Sequence, residues 1–325
     1  MKIIEHTEGR VRGPGLYRMP AALYHADPSP EPSLSSSIAK LLVSHSEEHA
    51  HAAHPRLGAQ PGADEADATR PREIGTAAHK LILGQGSDLV VIDADDYRTA
   101  AAKAERAAAY AAGHCPILRP DSAKAEAMAD QVAERLGEIE GCGAFASAPA
   151  EVVAIARDRS GTWLRIMMDK VELGSHHAII WDVKTGDQSA APQGLGRRIE
   201  SMGMEVQSAL YVRALETLMP QLAGRITFRW IFVENDFPHP LCVAEADGAT
   251  MHVGARKVSA AIHRWNAARA SGVWPSYPAR IIRAEYPEWA AKRWAEREEL
   301  DPALAGVGYD IGQSPHRPLD WENAA

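Results

Sequence analysis

Two aspartates and a lysine carry the most chemical information in this chain. Asp182 opens the tripeptide Asp182-Val183-Lys184, directly after the apolar run 178–181, and Asp169 precedes it by thirteen residues. Side chains at positions i and i+2 of a β-strand share a face, so Asp182 and Lys184 are predicted to point into the same space. Carboxylates are the hard oxygen ligands that magnesium prefers, and a lysine beside them can neutralise a phosphate or hold an attacking water. Such a set suits metal-dependent hydrolysis of a phosphodiester.

An isolated Asp-x-Lys tripeptide has a simpler interpretation. It is also typical of an exposed strand end that carries a solvated ion pair. The choice between the two interpretations depends on the elements that would have to position Asp169, Asp182 and Lys184.

Composition bounds the class of protein. The chain has 325 residues, of which 46% are hydrophobic and 24% charged, values of an ordinary globular protein. No apolar run approaches the ~20 residues of a membrane span, and residues 1–6 lack the apolar core of a signal peptide, so we expect a cytoplasmic protein. The net charge of −8 argues against a broad basic coat for nucleic acid, but it permits a basic groove on an acidic body.

The three cysteines indicate no metal centre. Cys115, Cys142 and Cys242 are too few and too far apart for a zinc site or an iron–sulfur cluster, and their odd number argues against a disulfide framework. We predict reduced thiols in the core.

Residues 1–72 are predicted to form an N-terminal extension. Prolines interrupt its first part, a run of serines at 35–37 is predicted to cap a short helix at 38–43, and residues 58–69 resemble a mobile loop. Four histidines in the preceding stretch suggest a second metal site, although their loop-like setting favours chance or DNA contacts; they are His45, His49, His51 and His54.

The main domain is predicted over 73–278. Residues 73–83 have the apolar periodicity of a helix, with His79 at the edge of the apolar face, and the Ala-rich stretch 95–142 is predicted to be an insertion of two or three helices. Residues 279–325 are predicted to form a C-terminal helical tail.

Apolar alternation then predicts strands. The runs at 151–157 and 162–173 form a hairpin and 178–184 a third strand, followed by a helix at 198–218 and a fourth strand at 225–234, parallel to the third. The expected fold class is α/β, in the order αβββαβ, with a central mixed four-stranded sheet flanked by helices.

In this order of elements the chain resembles the PD-(D/E)xK nuclease superfamily, and within it the phage and prophage exonuclease VIII (RecE-type) branch. The resemblance rests on four pieces in register with the predicted elements: Gly75-Thr76-Ala77-Ala78-His79, then Asp169, then Asp182-Val183-Lys184-Thr185, then Gln207 with Tyr211. Residues 19–27, the serine run and Gly272-Val273-Trp274-Pro275 are similar to that branch too, so the likeness covers most of 17–278.

The resemblance implies a role for each matched residue. Asp169 and Asp182 would ligate one or two Mg²⁺ ions, or Mn²⁺, with the carbonyl of Val183 as a further ligand, and His79 would reach the same metal site. Lys184 would position the attacking water or stabilise charge on phosphorus. Two other residues, Gln207 and Tyr211, would contact the DNA backbone or support the lysine. Glu151 is a weaker candidate for an additional carboxylate.

The implied function is a magnesium-dependent exonuclease that acts on double-strand ends in phage or prophage recombination. It would degrade one strand from 5′ to 3′, leave a 3′ tail for a single-strand annealing protein, and assemble into a homo-oligomeric ring. Two alternatives stay open: an endonuclease or CRISPR-type end-trimming enzyme of the same fold, and a non-catalytic DNA-binding or phage-assembly module on a nuclease scaffold.

Overall fold

A computed structural model of the chain describes residues 1–58 and 69–302. Its strands are β1 (Ile3–Glu5), β2 (Gly15–Arg18), β3 (Leu89–Ile92), β4 (Cys115–Leu118), β5 (Ala150–Arg157), β6 (Trp163–Leu173), β7 (Ala178–Gly186), β8 (Ile226–Glu234) and β9 (Leu241–Glu245). Its α-helices are α1 (Ala21–His25), α2 (Ser36–Ser44), α3 (Glu47–Ala53), α4 (Arg70–Leu83), α5 (Ala100–Ala111), α6 (Arg119–Glu138), α7 (Pro192–Ser201), α8 (Met204–Leu218), α9 (Gly248–Ser271) and α10 (Glu288–Leu300).

A mixed sheet forms the centre of the molecule, in the order β1-β2-β5-β6-β7-β8-β9. The antiparallel meander β5-β6-β7 and the parallel pairing of β8 with β7 confirm the predicted α/β fold with helices on both faces. The four predicted strands are β5 to β8 at the centre of the sheet, and β1, β2 and β9 extend it to seven. These edge strands have three to five residues each, too few to establish an apolar alternation in the sequence.

Helices cover the two faces of the sheet and bury separate cores. Ile180 and Trp230 belong to the core that also contains apolar residues of α2, α8 and α9. Ile179 and Trp181, neighbours of Ile180 in β7, belong to the core beneath α4 and α6. Alternation along one strand therefore supplies both cores, as expected where both faces of a sheet are covered.

The connecting segments differ from the prediction in three places. The helix predicted at 198–218 is two helices, α7 and α8, because Gly203 takes a left-handed φ of 59° between them. The insertion contains α5 and α6 as expected, and also a two-stranded parallel sheet of β3 and β4. Residues 47–53, in the histidine-containing stretch with a loop-like sequence, form α3, and 59–68 of the loop predicted at 58–69 lie outside the described residues.

The chain divides into two compact units, 1–277 and 278–325. The first contains the whole sheet and every candidate site residue. The described part of the second contains α10, which is mostly exposed. Across 1–58 and 69–302, every helix is too short or too polar to cross a membrane.

Candidate active site

The candidate site begins where the ladder between β6 and β7 ends. The ladder between these strands runs from the Lys170–Trp181 pair to the Leu173–Ala178 pair, next to the turn that joins them. By contrast, β7 is paired with β8 along its whole length. Asp169 and Asp182 are the first residues beyond the ladder. The backbone N–H of Val183 donates to Asp169 Oδ2 at 2.7 Å, so a carboxylate replaces the missing strand partner. The need of β7 for a hydrogen-bond acceptor thus fixes Asp169 beside the Asp-x-Lys tripeptide.

The helix α4 brings His79 to the same place. Its Nε2 lies 3.1 Å from Asp169 Oδ2. A Cβ atom built on Gly75, one turn earlier, would lie 3.1 Å from Thr185 Oγ1, which is tighter than ordinary van der Waals contact. The missing side chain at position 75 therefore lets α4 approach the end of β7.

Asp182 is buried and held by two neighbours. Lys184 Nζ lies 2.6 Å from Asp182 Oδ2, and Gln207 Nε2 donates to Asp182 Oδ1 at 2.7 Å. The lysine contact is an ion pair that lacks hydrogen-bonding angles, so Oδ2 has no hydrogen bond although it is buried. A buried carboxylate oxygen that lacks a hydrogen bond is costly in isolation and suits a bound cation.

The two carboxyl groups experience opposite electrostatic environments. Burial raises the pKa of Asp182, and the opposing charge of Lys184 does not reverse it. Burial also raises the pKa of Asp169, but the charge and hydrogen bond of His79, with Lys184 and the Val183 amide, lower it below the ordinary value. Burial lowers the pKa of His79, but the charge and hydrogen bond of Asp169 outweigh burial and leave the pKa above its ordinary value. The imidazole is therefore a stronger base than usual. Diverging carboxyl pKa values within one cluster are typical of functional sites.

The donor set suits a hard divalent cation. It offers two carboxylates and an imidazole, and Asp182 Oδ2 has an ion-pair contact with Lys184 but no hydrogen bond. Within the described ranges, no group of three or more His, Cys, Asp or Glu side chains is arranged to hold a metal ion, and the side chains pair with each other instead. The carbonyl of Val183 stays a predicted metal ligand. The N–H of Val183 donates to the Asp169 carboxylate.

Comparison with known families agrees with this arrangement. The model of the PD-(D/E)XK nuclease superfamily matches residues 48–295. The chain belongs to this superfamily. Membership implies a nuclease, a phosphodiester hydrolase, of a class that typically uses divalent metal ions.

One solved structure agrees with this PD-(D/E)XK nuclease at the level of the fold. A crystal structure from Eubacterium rectale named "Putative exonuclease" has 11% sequence identity, covers 80% of this chain and 92% of that chain, and superposes with a TM-score of 0.51. At that identity the likeness shows the fold alone. The structure named SSO0001 has 14% identity over 74% of this chain and 98% of its own, with a TM-score of 0.23 too low to carry an argument. No curated protein matches the chain. The exonuclease VIII branch stays a prediction.

Glu151 lies at the edge of the nuclease site. Pairing of Ala150 with Lys170 and of Val152 with Met168 places Glu151 across from Asp169, and its φ of 49° is unusual for a residue with a side chain. Burial raises its pKa, and the charges of His79 and Asp169 act on it. Its weaker candidacy as an additional carboxylate stays a prediction.

Gln207 and Tyr211 lie behind the carboxylates. Their side chains are buried, with 7% and 6% of each residue exposed, so direct contact with the DNA backbone does not fit these positions. The support that the sequence predicted for Lys184 is instead the hydrogen bond of Gln207 to Asp182. Tyr211 packs edge-on against Phe228, and burial raises its pKa well above the ordinary value.

The histidines at 45–54 form ring contacts and no metal centre among the described residues. His49 lies 5.3 Å from the ring of Tyr277, and His51 lies 4.8 Å from that of Trp274. His54 is fully buried and bonds to Ser33 O at 3.0 Å. As predicted, all three cysteines are free thiols; Cys115 and Cys142 are buried and Cys242 half-buried.

The sequence did not predict two features of the candidate site. An open groove of about 460 Å³ adjoins His79, between the first turns of α4 and residues 185–187 with Asn235. On the opposite flank, Lys40 of α2 lies close enough for the charge of Lys184 to lower its pKa, with burial as the larger cause. No local pattern relates position 40 to position 184, so only the tertiary fold reveals this neighbour.

Proposed function

We propose that this nuclease is a magnesium-dependent exonuclease that acts on the ends of double-stranded DNA. The observation that supports this best is the convergence of His79, Asp169 and the Asp182–Lys184 pair from α4, β6 and β7 where the β6–β7 ladder ends. Three separate elements supply the carboxylates, a cation and a base that phosphodiester hydrolysis needs.

Each residue has a defined task in this proposal. Asp169 and Asp182 would hold Mg²⁺, with Mn²⁺ as a substitute, and the bound ion would activate water and spread the negative charge that develops on phosphorus. Lys184 would place its ammonium group against the attacking water or a non-bridging phosphate oxygen. His79 would orient Asp169 and join the metal site, and Gln207 would keep Asp182 facing inward.

The finer features rest on the resemblance to the exonuclease VIII branch. They are degradation from 5′ to 3′, a 3′ single-stranded product for an annealing protein, assembly into a ring, and a role in phage or prophage recombination in the bacterial cytoplasm. The groove beside His79, at about 460 Å³, falls within the size range of small-ligand sites and offers space for the bound strand next to the carboxylates.

The test is digestion of four substrates by the purified full chain in Mg²⁺: linear duplex labelled at the 5′ or 3′ end, covalently closed circles, and single strands. We expect linear duplex to be consumed from its ends with release of the 5′ label first, circles to be spared, and EDTA to abolish cleavage. Nicking of supercoiled circles would support the endonuclease alternative. Tight DNA binding with no cleavage in Mg²⁺ or Mn²⁺ would support the binding-module alternative.

A further inference from the structure

Two cations beside Lys184 have no carboxylate partner. The side chain of Lys40 in α2 makes neither a hydrogen bond nor an ion pair with any described residue, and Arg198 of α7 makes no ion pair within the same ranges. Lys184 itself is paired with Asp182. Charged groups withdrawn from water are normally paired, so a half-buried and a buried cation near Lys184 that lack an ion-pair partner among the described residues are unusual.

The position of Lys40 is fixed by the start of α8. Its Cδ lies 3.6 Å from where a Cβ atom on Gly203 would stand, so the lysine stem occupies the space that this glycine leaves. One turn further along α8, Gln207 donates to Asp182. The charges of Asp182 and Glu205 also act on Lys40, but neither forms an ion pair with it. The ammonium group of Lys40 thus stands on the α2 side of the catalytic carboxylates.

Arg198 approaches from the neighbouring helix. Its guanidinium lies 4.7 Å from the centre of the Phe232 ring, which supports it from one side. Nη1 donates to Gln188 O at 3.4 Å, Nε is buried without a partner, and Nη2 lies 3.6 Å from where a Cβ atom on Gly186 would stand. Gly186 follows Lys184 by two residues, so the guanidinium edge lies at the same end of β7. Burial lowers the pKa of Arg198, and the nearby charge of Glu234 opposes this shift without reversing it.

We propose that Lys40 and Arg198, together with Lys184, bind a backbone phosphate of the DNA strand next to the one that is cleaved. This inference rests on the proposed function. A phosphodiester carries one negative charge and accepts several hydrogen bonds, which would satisfy the free donors of Arg198 and the ammonium of Lys40. The groove beside His79 lies on the α4 side of the carboxylates and the cations lie on the α2 and α7 side. The strand would therefore run from the groove, over Asp169 and Asp182, to Lys40 and Arg198.

Binding to uncut DNA tests this site separately from cleavage. The full chain in EDTA, and its Asp182→Asn variant, are titrated against fluorescently labelled linear duplex at several salt concentrations. We expect Lys40→Met and Arg198→Met each to weaken binding about tenfold and to reduce the slope of log affinity against log salt by about 0.7–0.9, the counterion release of one phosphate contact. Lys40→Arg should retain most of the affinity. The control is Lys103→Met, on the exposed face of α5 far along the chain from the site, which should change neither quantity.

A second measurement locates the phosphate. A neutral methylphosphonate is placed at successive linkages of the strand, and each substrate is titrated with the parent chain and with Lys40→Met. We expect one linkage at which the neutral group weakens binding by the parent and has no further effect on the variant. Equal losses in parent and variant at every linkage would overturn the site.

The two proposals fail in different ways. If the parent digests linear DNA while both methionine variants bind as it does, the phosphate site is wrong and the exonuclease proposal stands. If one linkage shows the expected coupling but no DNA is cleaved in metal, the exonuclease proposal is wrong and the phosphate site stands. Absence of any DNA binding by the parent would overturn both.

Discussion

The charges of His79 and Lys184 act on both Asp169 and Asp182, yet the pKa of Asp169 is lowered and that of Asp182 is raised. Asp169 accepts from a backbone amide and faces His79, so its charge is compensated. Asp182 is more deeply enclosed, and one of its oxygens has only an ion-pair contact. We infer that a cation entering the site stabilises the ionised form of Asp182 more than that of Asp169, because burial disfavours the Asp182 charge and its present neighbours do not compensate for this.

The first prediction concerns the charge of Asp182. Asp182→Asn keeps the side-chain volume and removes the charge, so we expect cleavage of linear duplex to fall by about 10³-fold or more. The free energy of unfolding should change by no more than about 1 kcal/mol, because the amide oxygen can still accept from Gln207. Digestion rates in Mg²⁺ and a denaturant titration measure both quantities. Cleavage at the parental rate would remove Asp182 from the site.

A second prediction separates the shape of Lys184 from its charge. Lys184→Ala should lose several orders of magnitude in rate, and Lys184→Arg should not restore it, because a planar guanidinium cannot occupy the compact position 2.6 Å from Asp182 Oδ2. Single-turnover cleavage rates of the three proteins provide the measurement. An arginine variant as active as the parent would mean that a diffuse positive charge suffices.

Local spacing predicted Asp182 and Lys184, and the resemblance to a known family supplied Asp169 and His79. Asp182 and Lys184 share a strand face through i, i+2 spacing, and His79 lies on a helix whose Gly75 permits close approach. Lys40 and Arg198 carry no such signal, since their neighbourhood with Lys184 depends on how α2 and α7 pack. The burial of Gln207 was also hidden, because a polar residue on an amphipathic helix is equally typical of its wet edge.

At the scale of elements, a glycine permits a very close contact between α8 and α9. A Cβ atom built on Gly254 of α9 would lie 2.1 Å from the backbone oxygen of Glu205 in the first turn of α8. Backbone cannot yield as a side chain can. The approach of α9 therefore fixes the turn of α8 that also carries Gln207.

A matched pair of substitutions tests this contact. Gly254→Ala should lower the free energy of unfolding by about 1–3 kcal/mol or more, since the helices must separate. Gly137→Ala, in α6 with no atom within 4 Å of the new methyl group, should raise it by about 0.5–1 kcal/mol through helix propensity alone. Denaturant titrations of both variants supply the values. Stabilisation by both substitutions would show that α8 and α9 are not in close contact.

Elements with long periodic patterns were predictable and short or interrupted ones were not. The strands β5 to β8 and the helix α4 follow from apolar periodicity, whereas β3 and β4 have four residues each, and Pro116 within β4 argues against a strand. A single glycine with a left-handed φ divides α7 from α8, and sequence alone does not distinguish that geometry from a glycine within one helix.

On the scale of the whole molecule, a buried histidine links stability to pH. His54 Nε2 faces Ser33 O at 3.0 Å, and Nδ1 accepts from the Arg56 backbone N–H at 3.1 Å, so the fold binds the neutral ring. Burial lowers the pKa of His54 to about 4; Ser33 and Asp27 oppose this, while Arg165 and Arg56 add to it. The folded-state pKa is below the ordinary value of 6.5, so this contribution to stability is complete above about pH 6.5 and is lost as the pH falls towards 4.

The corresponding prediction compares unfolding free energies at pH 7 and pH 4. His54→Gln should flatten the decrease by up to about 3 kcal/mol, because an amide does not take up a proton in this range. His176→Gln, at an exposed turn between β6 and β7, serves as the control and should leave the decrease unchanged. A parental acid response in the His54 variant would show that other groups control it.

The pairing of β2 with β5 has a consequence for synthesis of the chain. Leu16 lies opposite Ala154, and the whole helical insertion separates them in sequence. On the ribosome, the first strands therefore emerge long before their partner exists, and Leu16 and Tyr17, buried in the finished sheet, stay exposed on the nascent chain. Pairing between distant segments is slow, because a long loop must close before any contact offsets its entropy. β2 can pair with β5 only after β5 has left the exit tunnel, so the apolar side chains of β2 are available to chaperones while the insertion is being made.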